Sequence, residues 1–434
     1  MENKIVDIYD ISYEGSGVGK LDGQVVFVPK TLKGEKVEVS IVKKNKSFLL
    51  SKLCKVLSPS KERINPKCPY FEKCGGCDFQ HCNYQVEQNL KTEILRKEMA
   101  KVCYTGEISY QPSESRFSYR NKIKLEFFNG KLGYFKRKSH SFFDVECCPI
   151  ATELINKTIP VVKRFIASND CFGLKSVYFK QLHWHLAICF LFDKKMIKNA
   201  QKMIKNLKNV EIFGDFSIYF AFGEILESDL TKIFCVKQGN ELKQVYDEIV
   251  FEFDVSSFNQ VNDEMAKKLY DYVSCNVDGK RVVNAYSGQG LLTYILSRNA
   301  KFVYGIEYQK SAHMSAEKMK EQLQEYKIEN VCGRVEDEIP KIFRRDKIDF
   351  VVLDPSREGC ERSVLSEINQ SGVEKIVYVS CNFSTLVRDL KILKDFYDIV
   401  SVKIFDMFPC TANMETVVIL GRKAWFFVDL FDWF

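Results

Sequence analysis

From about residue 256 onward, the chain repeats one pattern: a short apolar run, a turn and an amphipathic segment. The apolar runs and their turns read RVVNAYSG, FVYGIE, IDFVVLDPS and KIVYVSCN. Apolar strands separated by helical segments predict a parallel sheet with helices on both faces. Ligands of such sheets bind at the carboxyl ends of the strands. We therefore expect the functional residues of this region to follow its strands.

Residues 1–57 predict a different unit, built from short alternating strands. The runs KIVDIYDIS, GQVVFVP, EKVEVSIVKK and FLLSKLCKVL are joined by Gly-rich turns, one of them at EGSGVG, which is typical of a small β-barrel. Several lysines would give this barrel a basic face: Lys33, Lys36, Lys43, Lys44 and Lys46. Such a face either binds RNA or is an ordinary solvated surface.

The middle of the chain predicts a second α/β region. Residues 58–82 break the periodicity with Pro, Gly and Cys and mark a boundary. The next stretch, YQVEQNLKTEILRKEMAKV, has apolar residues at helical spacing and predicts one amphipathic helix. From about residue 117 to 255, strand-like runs such as KIKLEFF, LGYFKR and WHLAICFLF mix with the helical run MIKNAQKMIKNL.

Length and composition narrow the class of protein. A chain of 434 residues predicts two to four domains, and a net charge of +7 is compatible with a polyanionic partner. The N-terminus does not read as a secretion signal and no run is long enough to cross a bilayer, so we expect a cytoplasmic protein without membrane contact. Sixteen cysteines in such a chain favour thiols, a metal site or catalysis over disulfides.

A group of cysteines predicts a metal centre. Three of them form the pattern C-x5-C-G-G-C: Cys68, Cys74 and Cys77. A fourth ligand is needed, and Cys148 is the best candidate, with Cys147 and Cys82 behind it. Four thiolates suit zinc or an iron–sulfur cluster. The three-plus-one pattern favours a 4Fe-4S cluster over zinc, which usually has two C-x2-C pairs.

A cofactor site is predicted where the strand RVVNA runs into Gly288 and Gly290 and then into a helix. Glu307 ends the next strand, a position from which a carboxylate can bond a ribose diol. The turn has no third Gly in dinucleotide register and no Lys-Ser/Thr pair for phosphates. These features favour an adenosyl ligand without phosphates over NAD or ATP.

Two further side chains are candidates at this edge of the sheet. Tyr286 precedes the glycines and either packs beside the ligand or is a core aromatic. Asp354 ends the apolar run FVVLD, where an acidic residue is disfavoured unless it is paired or binds something. Arg357 follows three residues later as its partner or as a phosphate contact.

Cys381 follows the strand IVYVS and is a candidate nucleophile. One reaction that needs a thiol nucleophile is methylation at carbon 5 of uracil. Carbon 5 is a poor nucleophile until a thiolate adds at carbon 6, and a base must afterwards remove the carbon 5 proton. Glu415, in FPCTANMETVVIL, is the best available base, and Arg388 is a candidate for lowering the pKa of the thiol. Taken singly, Cys381 is as often an inert buried thiol and Glu415 a solvated carboxylate.

Together these motifs resemble the uracil-C5 RNA methyltransferases that contain a TRAM domain, in particular the bacterial ribosomal RNA 5-methyluridine enzymes. SSFNQVN is similar to the family's S-F-F-Q-V-N, and Cys148 precedes the Pro149-Ile150 that the family shares. The resemblance implies catalytic roles for Cys381 and Glu415. It also implies cofactor and cluster ligands: Gln260, Tyr286, Glu307 and Asp354 for S-adenosylmethionine, and Cys68, Cys74, Cys77 and Cys148 for a 4Fe-4S cluster.

The resemblance implies an α/β multidomain protein with three parts. Residues 1–57 would form an OB-like TRAM barrel, and 58–82 with 111–255 a central iron–sulfur α/β domain. Residues 83–110 with 256–434 would form a Rossmann-like, doubly wound methyltransferase domain. The implied substrate is RNA, with 23S ribosomal RNA favoured and the target uridine flipped into the pocket. We expect a monomer without an obligate protein partner.

The chain departs from the family's pattern at several positions. The family's D-P-P-R, V-S-C-N-P and F-P-H-T-x-H-x-E read DPSR, VSCNF and FPCTANME here, so that Cys410 and Asn413 replace two histidines. Two alternatives therefore stay open. One is a methyltransferase that acts on transfer RNA, and the other is a catalytically inactive iron–sulfur protein that binds RNA or senses redox state.

Overall fold

The computed structural model describes residues 3–137, 139–193, 203, 205–212, 214–223, 232–240, 242–247, 249–253, 255–256 and 258–424. The aromatic tail at 425–434 and most of the predicted helical run MIKNAQKMIKNL lie outside the described residues. Across the described ranges, no helix is both long and apolar enough to span a membrane.

The N-terminal unit is a six-stranded sheet with the order β1-β5-β6-β4-β3-β2. Its strands are β1 (Lys4–Asp7), β2 (Asp10–Ile11), β3 (Ser16–Leu21), β4 (Gln24–Pro29), β5 (Lys36–Lys44) and β6 (Phe48–Ser58). Pairing is antiparallel except between β4 and β6. Alternate residues of β4 and β5, such as Val26, Val28, Val37 and Val39, are fully buried, because successive side chains of a strand point to opposite faces.

The turn predicted at EGSGVG is confirmed only for its first two residues. Glu14 lies in a turn and Gly15 follows it with a φ of 77°, whereas Ser16–Leu21 form β3, which pairs with β4 along its whole length. A Cβ at Gly17 would lie 2.0 Å from Thr31 Oγ1, and one at Gly19 would lie 2.1 Å from Val6 Cγ1. These glycines therefore permit close packing within a strand rather than a change of direction.

The central part contains the predicted amphipathic helix and a second sheet. Its elements are α1 (Tyr84–Met99), β7 (Ile108–Gln111), β8 (Lys122–Phe128), β9 (Lys131–Phe135), β10 (Phe142–Asp144), α2 (Glu153–Ala167), β11 (Leu174–Leu182), β12 (His185–Phe192), β13 (Asp215–Phe222), β14 (Lys232–Lys237), β15 (Leu242–Tyr246) and β16 (Ile249–Phe253). The sheet order is β10-β9-β8-β11-β12-β13-β14, and β15 pairs with β16 as a separate hairpin.

The C-terminal part has the predicted alternation of strands and helices. Its elements are α3 (Asp263–Ser274), β17 (Arg281–Ala285), α4 (Leu291–Ser297), β18 (Phe302–Glu307), α5 (Lys310–Gln322), β19 (Ile328–Cys332), α6 (Val335–Arg345), β20 (Phe350–Leu353), α7 (Arg362–Ser371), β21 (Lys375–Ser380), α8 (Phe383–Leu393), β22 (Tyr397–Phe405) and β23 (Glu415–Arg422). The expectation of α/β structure is confirmed.

These strands form one eight-stranded sheet with the order β19-β18-β17-β20-β21-β23-β22-β7. The first five strands are parallel, and β23 runs antiparallel to its neighbours β21 and β22. Adjacent residues face separate cores: Val283 and Val351 pack on one face, and Val282 and Val352 on the other. Burial of both faces is why these strands read as continuous apolar runs.

Strand β7 is part of the C-terminal sheet, and helix α1 contacts the loop that follows β22. Both elements precede the other strands of this sheet by more than 150 residues. Strand β7 pairs with β22, and Lys91 of α1 donates to Asp406 (2.7 Å) and to Glu87 (2.9 Å). All three side chains are buried. Burial by itself lowers the pKa of Lys91, but Asp406 and Glu87 raise it by more, so the ammonium keeps its proton.

We predict that Lys91→Ala destabilises the protein by about 3–5 kcal/mol, because it removes the cation that pairs with buried Asp406 and leaves Glu87 paired with Arg116 alone. Lys97→Ala on the same helix is the matched control, since Lys97 pairs with Asp10 and Glu93 on the surface. That change should cost about 1 kcal/mol or less. Urea unfolding of both variants measures the difference, and equal losses would contradict the prediction.

Candidate active site

A cavity of about 820 Å³ opens where the parallel strands of the C-terminal sheet end. Every residue predicted to be catalytic or to contact the cofactor lines it: Gln260, Tyr286, Glu307, Asp354, Cys381 and Glu415. They come from the carboxyl ends of four parallel strands, from the first residue of the antiparallel strand β23 and from the segment before α3. Parallel strands place their carboxyl ends at one edge, which brings together side chains separated by up to 155 positions in sequence.

The turn after β17 has an unusual backbone. Tyr286, Gly288 and Gly290 all have positive φ, at 63°, 56° and 86°. A Cβ at Gly290 would lie 2.8 Å from Ala316 Cβ, so this glycine allows α4 to start close to α5. The Glu307 carboxylate fixes the turn by accepting from the backbone N–H of Gly288 (2.9 Å) and of Gln309 (2.7 Å).

Two buried amides lining the cavity have unused acceptors. The side-chain oxygens of Asn259 and Asn284 have no hydrogen-bond partner among the described residues. Buried polar atoms are almost always paired, so these oxygens suit a ligand that brings N–H or O–H donors. The cavity therefore fits a polar small molecule such as an aminoacyl nucleoside.

Cys381 lies at the junction of β21 and α8. Asn382 caps the helix by accepting from Ser384 N–H (3.1 Å), and Ser380 Oγ donates to the Asn382 carbonyl (3.0 Å). Asn382 also donates to the Arg357 carbonyl at 2.8 Å, which joins the loop after β20 to this junction. The thiol is thus held at the rim of the cavity, at the first turn of a helix.

Three acidic groups share the cavity and repel one another. Burial, followed by the nearby Asp354 charge, raises the pKa of Glu415 well above its ordinary value, although Arg357 opposes the shift. Burial raises the pKa of Asp354 to about 7. The pKa of Cys381 rises to about 11, first through burial and then through the Glu415 and Asp354 charges. At neutral pH these shifts favour the protonated forms of Glu415 and Cys381, whereas the pKa of Asp354 lies near neutrality.

Arg357, rather than Arg388, is the cation that acts on the thiol. Arg357 lowers the pKa of both Cys381 and Glu415. The expected role of Arg388 in lowering the thiol pKa is wrong, because its guanidinium donates to Asp389 (2.7 Å) and to the carbonyls of Glu358 and Cys360. Sequence proximity suggested Arg388, but its position on α8 points it to the loop at 358–360.

The loop at 406–412, just before Glu415, is hydrogen-bonded to the cysteine-rich segment at residues 68–82 and to α1. The Cys410 carbonyl accepts from the backbone N–H of Asp78 and Phe79, each at 2.9 Å. The Cys410 N–H donates to Glu87 (2.6 Å), and the Ala412 N–H donates to Asp78 (3.0 Å). Cys410 is fully buried by these contacts.

The two positions at which histidines are replaced do not line the cavity. Cys410 is closed into the fold and Asn413 is exposed to solvent. The described wall of the cavity therefore includes neither replaced position.

The predicted metal ligands lie near one another, but no single-ion site is formed. Among the described residues, no three His, Cys, Asp or Glu side chains converge closely enough to hold a metal ion. The charge of Cys74 nevertheless acts on the other three thiols, because it contributes to raising the pKa of Cys68, Cys77 and Cys148 after burial. These couplings place the four thiols in one neighbourhood.

Several lining residues were not predicted from sequence. Tyr270 lies on the inner face of α3, and its pKa is raised by burial and then by Asp354 and Glu415. Arg120 and Phe408 also line the cavity. Phe408 belongs to the FPCTANME motif, which was a usable signal, whereas Tyr270 and Arg120 stand in stretches without any motif.

Comparison with known proteins gives consistent matches along the chain. A family model described as tRNA (Uracil-5-)-methyltransferase matches residues 83–423, and a TRAM domain model matches residues 4–54. An uncharacterized RNA methyltransferase of Clostridium acetobutylicum is 32% identical over 97% of this chain and 98% of its own length. One from Caldanaerobacter subterraneus is 32% identical over 96% of this chain and 97% of its own.

A solved structure shares the fold. Pyrococcus abyssi tRNA (uracil-54, C5)-methyltransferase, in complex with S-adenosyl-L-homocysteine, matches 96% of this chain and 100% of its own. The TM-score is 0.75 at 23% sequence identity. A match at that identity shows a common architecture.

The parallel sheet with its cavity, the N-terminal TRAM domain and these relatives define an RNA methyltransferase. The chain belongs to the tRNA (uracil-5-)-methyltransferase family, whose model covers most of its length, and is an RNA (uracil-C5) methyltransferase. The resemblance read from the motifs is therefore confirmed.

We predict that Arg357→Ala slows alkylation of Cys381 by iodoacetamide roughly tenfold at pH 8, since losing one nearby opposite charge moves a pKa by about 1 or more. Asp354→Asn should act in the opposite direction, because it removes a like charge. Arg388→Ala is the control and should leave the rate unchanged. Peptide mapping by mass spectrometry isolates Cys381 from the other thiols, and an unchanged rate in Arg357→Ala would contradict the assignment.

Proposed function

We propose that the protein forms 5-methyluridine in 23S ribosomal RNA, with S-adenosylmethionine as methyl donor. The observation that supports the methylation chemistry most strongly is the one cavity that holds Cys381, Glu415 and Asp354 beside the glycine turn of β17. The choice of 23S ribosomal RNA rests on the resemblance of the motifs to the bacterial ribosomal RNA enzymes. A nucleophile, a base and a cofactor site within one cavity are what methylation at carbon 5 of uracil requires.

In the proposed reaction, the Cys381 thiolate adds to carbon 6 of the uridine. The electron pair of the 5,6 double bond moves to make carbon 5 nucleophilic. Carbon 5 then takes the methyl group from the sulfonium, which leaves as S-adenosylhomocysteine. Glu415 removes the remaining proton from carbon 5, the double bond re-forms, and the sulfur of Cys381 leaves carbon 6.

The two buried acids, Glu415 and Asp354, place an electrostatic requirement on these reaction steps. The pKa of Glu415 is raised by burial and by Asp354, so Glu415 must lose a proton before it can act as the base. A cationic sulfonium in the same cavity favours the ionised form of each acid, because an opposite charge lowers an acid's pKa. Binding of the charged methyl donor would therefore prepare both the thiolate and the base.

The cofactor contacts are proposed residue by residue. Glu307 would bond the ribose diol, since its oxygens already fix the turn that approaches the ligand. Tyr286 and Gln260 would contact the adenosyl and amino acid parts from the two sides of the cavity. Asp354 would face the positive end of the donor. Asn284 and Asn259, with their unpaired oxygens, suit the donor's N–H groups.

For the cysteine centre, we propose a 4Fe-4S cluster bound by Cys68, Cys74, Cys77 and Cys148. The four thiols share one neighbourhood, and a cluster of several iron and sulfide atoms spans more space than one ion. Bound iron would relieve the repulsion among the thiolates. The cluster would thus hold the segment 68–82 together, next to its bonds with the loop at 406–412.

RNA binding is supported by the N-terminal unit. The lysines of its predicted basic face are all exposed: Lys33, Lys36, Lys43, Lys44 and Lys46. Exposed cations on a TRAM domain suit phosphate contacts, which position RNA without reading its sequence. We propose a cytoplasmic monomer with three domains divided as the sequence predicts.

The inactive alternative loses its main support. It rested on the replaced histidines, and neither Cys410 nor Asn413 lines the cavity. The Pyrococcus abyssi transfer RNA enzyme shares the fold, so the fold does not distinguish ribosomal from transfer RNA as the substrate. The methylation experiment below distinguishes them.

We predict that purified protein transfers labelled methyl groups to ribosomal RNA from cells lacking the gene, yielding 5-methyluridine in 23S RNA. Cys381→Ala should abolish transfer, because the variant lacks the thiolate that adds to carbon 6 and makes carbon 5 nucleophilic. Glu415→Gln should slow turnover by roughly 10²–10⁴-fold, the range for losing a general base. Label in transfer RNA alone would overturn the substrate, and label in neither RNA would overturn the proposed function.

The cluster predicts a second measurement. Protein purified without oxygen should be brown and contain about four irons per chain, as a 4Fe-4S cluster requires. Cys148→Ser should lower the iron content, whereas Cys147→Ser serves as the adjacent control and should not. One zinc per chain without iron would contradict the assignment.

A further inference from the structure

A second cavity of about 760 Å³ lies outside the catalytic one, between the central sheet and the β15–β16 hairpin. We propose that it binds one unpaired base of the RNA strand flanking the target uridine, stacked on Trp184. The inference extends the proposed function, since it assumes that the RNA bound here is the strand whose uridine enters the catalytic cavity.

Trp184 is at the tip of the turn between β11 and β12 and is 75% exposed. Its ring packs on one side against His183, with ring centroids 4.1 Å apart. His183 has a φ of 54°, as the tight turn between the two strands requires. An indole that is mostly exposed beside a second ring is suited to stacking a nucleobase.

The floor of this cavity is rigid. His185 bonds Asp215 through Nδ1 (2.6 Å) and Ser217 through Nε2 (3.0 Å). The turn at 238–240 is fixed on these groups, because Gly239 N–H donates to Ser217 (2.9 Å) and Asn240 N–H donates to Asp215 (3.0 Å). Ser217 is fully buried, so the His–Asp–Ser arrangement organises the floor and does not present a nucleophile.

The opposite wall comes from the β15–β16 hairpin, which is anchored on the C-terminal domain. Lys243, Val245 and Val250 line the cavity. Beyond them, Asp247 pairs with Lys267 (3.0 Å) and with Arg298 (2.7 Å). The cavity is therefore held between two parts of the chain that are each fixed.

A short chain of hydrogen bonds links the strand that leads to Trp184 with a lining residue of the catalytic cavity. Gln181 lies three residues before Trp184, and its backbone N–H donates to the backbone carbonyl of Asn121 at 2.7 Å. Asn121 in turn donates to the carbonyl of Gln260, a lining residue of the catalytic cavity, at 2.9 Å. Arg120, next in sequence, lines the catalytic cavity itself. An RNA strand that delivers a flipped uridine would therefore pass close to Trp184.

The chemistry of the lining matches a base rather than a paired helix. Trp184 offers an aromatic face, Gln238 and Asn240 offer amide groups for a base edge, and Lys243 brings a cation for the phosphate. Bases of a duplex are stacked and paired, so their faces cannot reach an indole. Single-stranded RNA exposes them, which makes it the occupant that this lining fits.

Binding of a 12-nucleotide oligouridine RNA, measured without methyl donor, tests the proposal. Trp184→Ala should weaken binding about tenfold, because stacking on an aromatic side chain contributes about 1–3 kcal/mol per base. Trp184→Phe should keep most of the affinity, since phenyl also stacks. Phe172→Ala is the matched control: Phe172 precedes the other end of β11, is 60% exposed and should not matter.

Fluorescence supplies a second readout. The RNA should quench tryptophan emission in the wild-type protein and lose most of that effect in Trp184→Phe, although two other tryptophans remain. Unchanged affinity in Trp184→Ala, equal loss in Phe172→Ala, or equally tight binding of a 12-base-pair duplex would overturn the proposal. Because no methyl transfer is measured, a failure of the proposed reaction would not produce any of these outcomes.

Discussion

One buried ammonium, Lys91, connects the first quarter of the chain to the loop that precedes the strand carrying Glu415. Its Nζ donates to Glu87, to Asp406 and to the Phe408 carbonyl (3.1 Å). Removing charges from water is costly, so a buried cation persists only where carboxylates and carbonyls surround it. Glu87 also accepts a hydrogen bond from the Cys410 N–H, so that α1 fixes the position of the loop at 406–412.

The same loop receives the cysteine-rich segment and the N-terminal sheet. Asp78 accepts from the Ala412 N–H, and a Cβ at Gly15 would lie 2.9 Å from Ala412 Cβ and 3.0 Å from Asp78 Cβ. The N-terminal sheet, the cysteine-rich segment and α1 therefore all meet at one loop, a few residues before Glu415. The cluster proposed above would act on the catalytic cavity only through this segment, which is hydrogen-bonded to the loop.

The sequence predicted the structure where apolar runs repeat along the chain and where the signal lies within one short motif. Apolar runs located β17, β18, β20 and β21, and strand ends then indicated Asp354 and Cys381 as neighbours, because parallel strands end together. Contacts between distant segments were not predictable. Lys91 and Asp406 are 315 positions apart, and nothing in either stretch indicates the pairing. Arg388 was misassigned for the same reason, since only the folded chain shows which arginine faces the thiol.

Action of Cys381 and Glu415 on one uridine is tested most directly by trapping the covalent complex. A methylated 5-fluorouridine adduct has no carbon 5 proton to lose, so the RNA stays attached to the nucleophile. Protein incubated with such RNA and labelled S-adenosylmethionine should yield, after digestion, one peptide containing Cys381 that bears a methylated fluoropyrimidine. An adduct on another residue, or on Cys381 without the methyl group, would contradict the proposed chemistry.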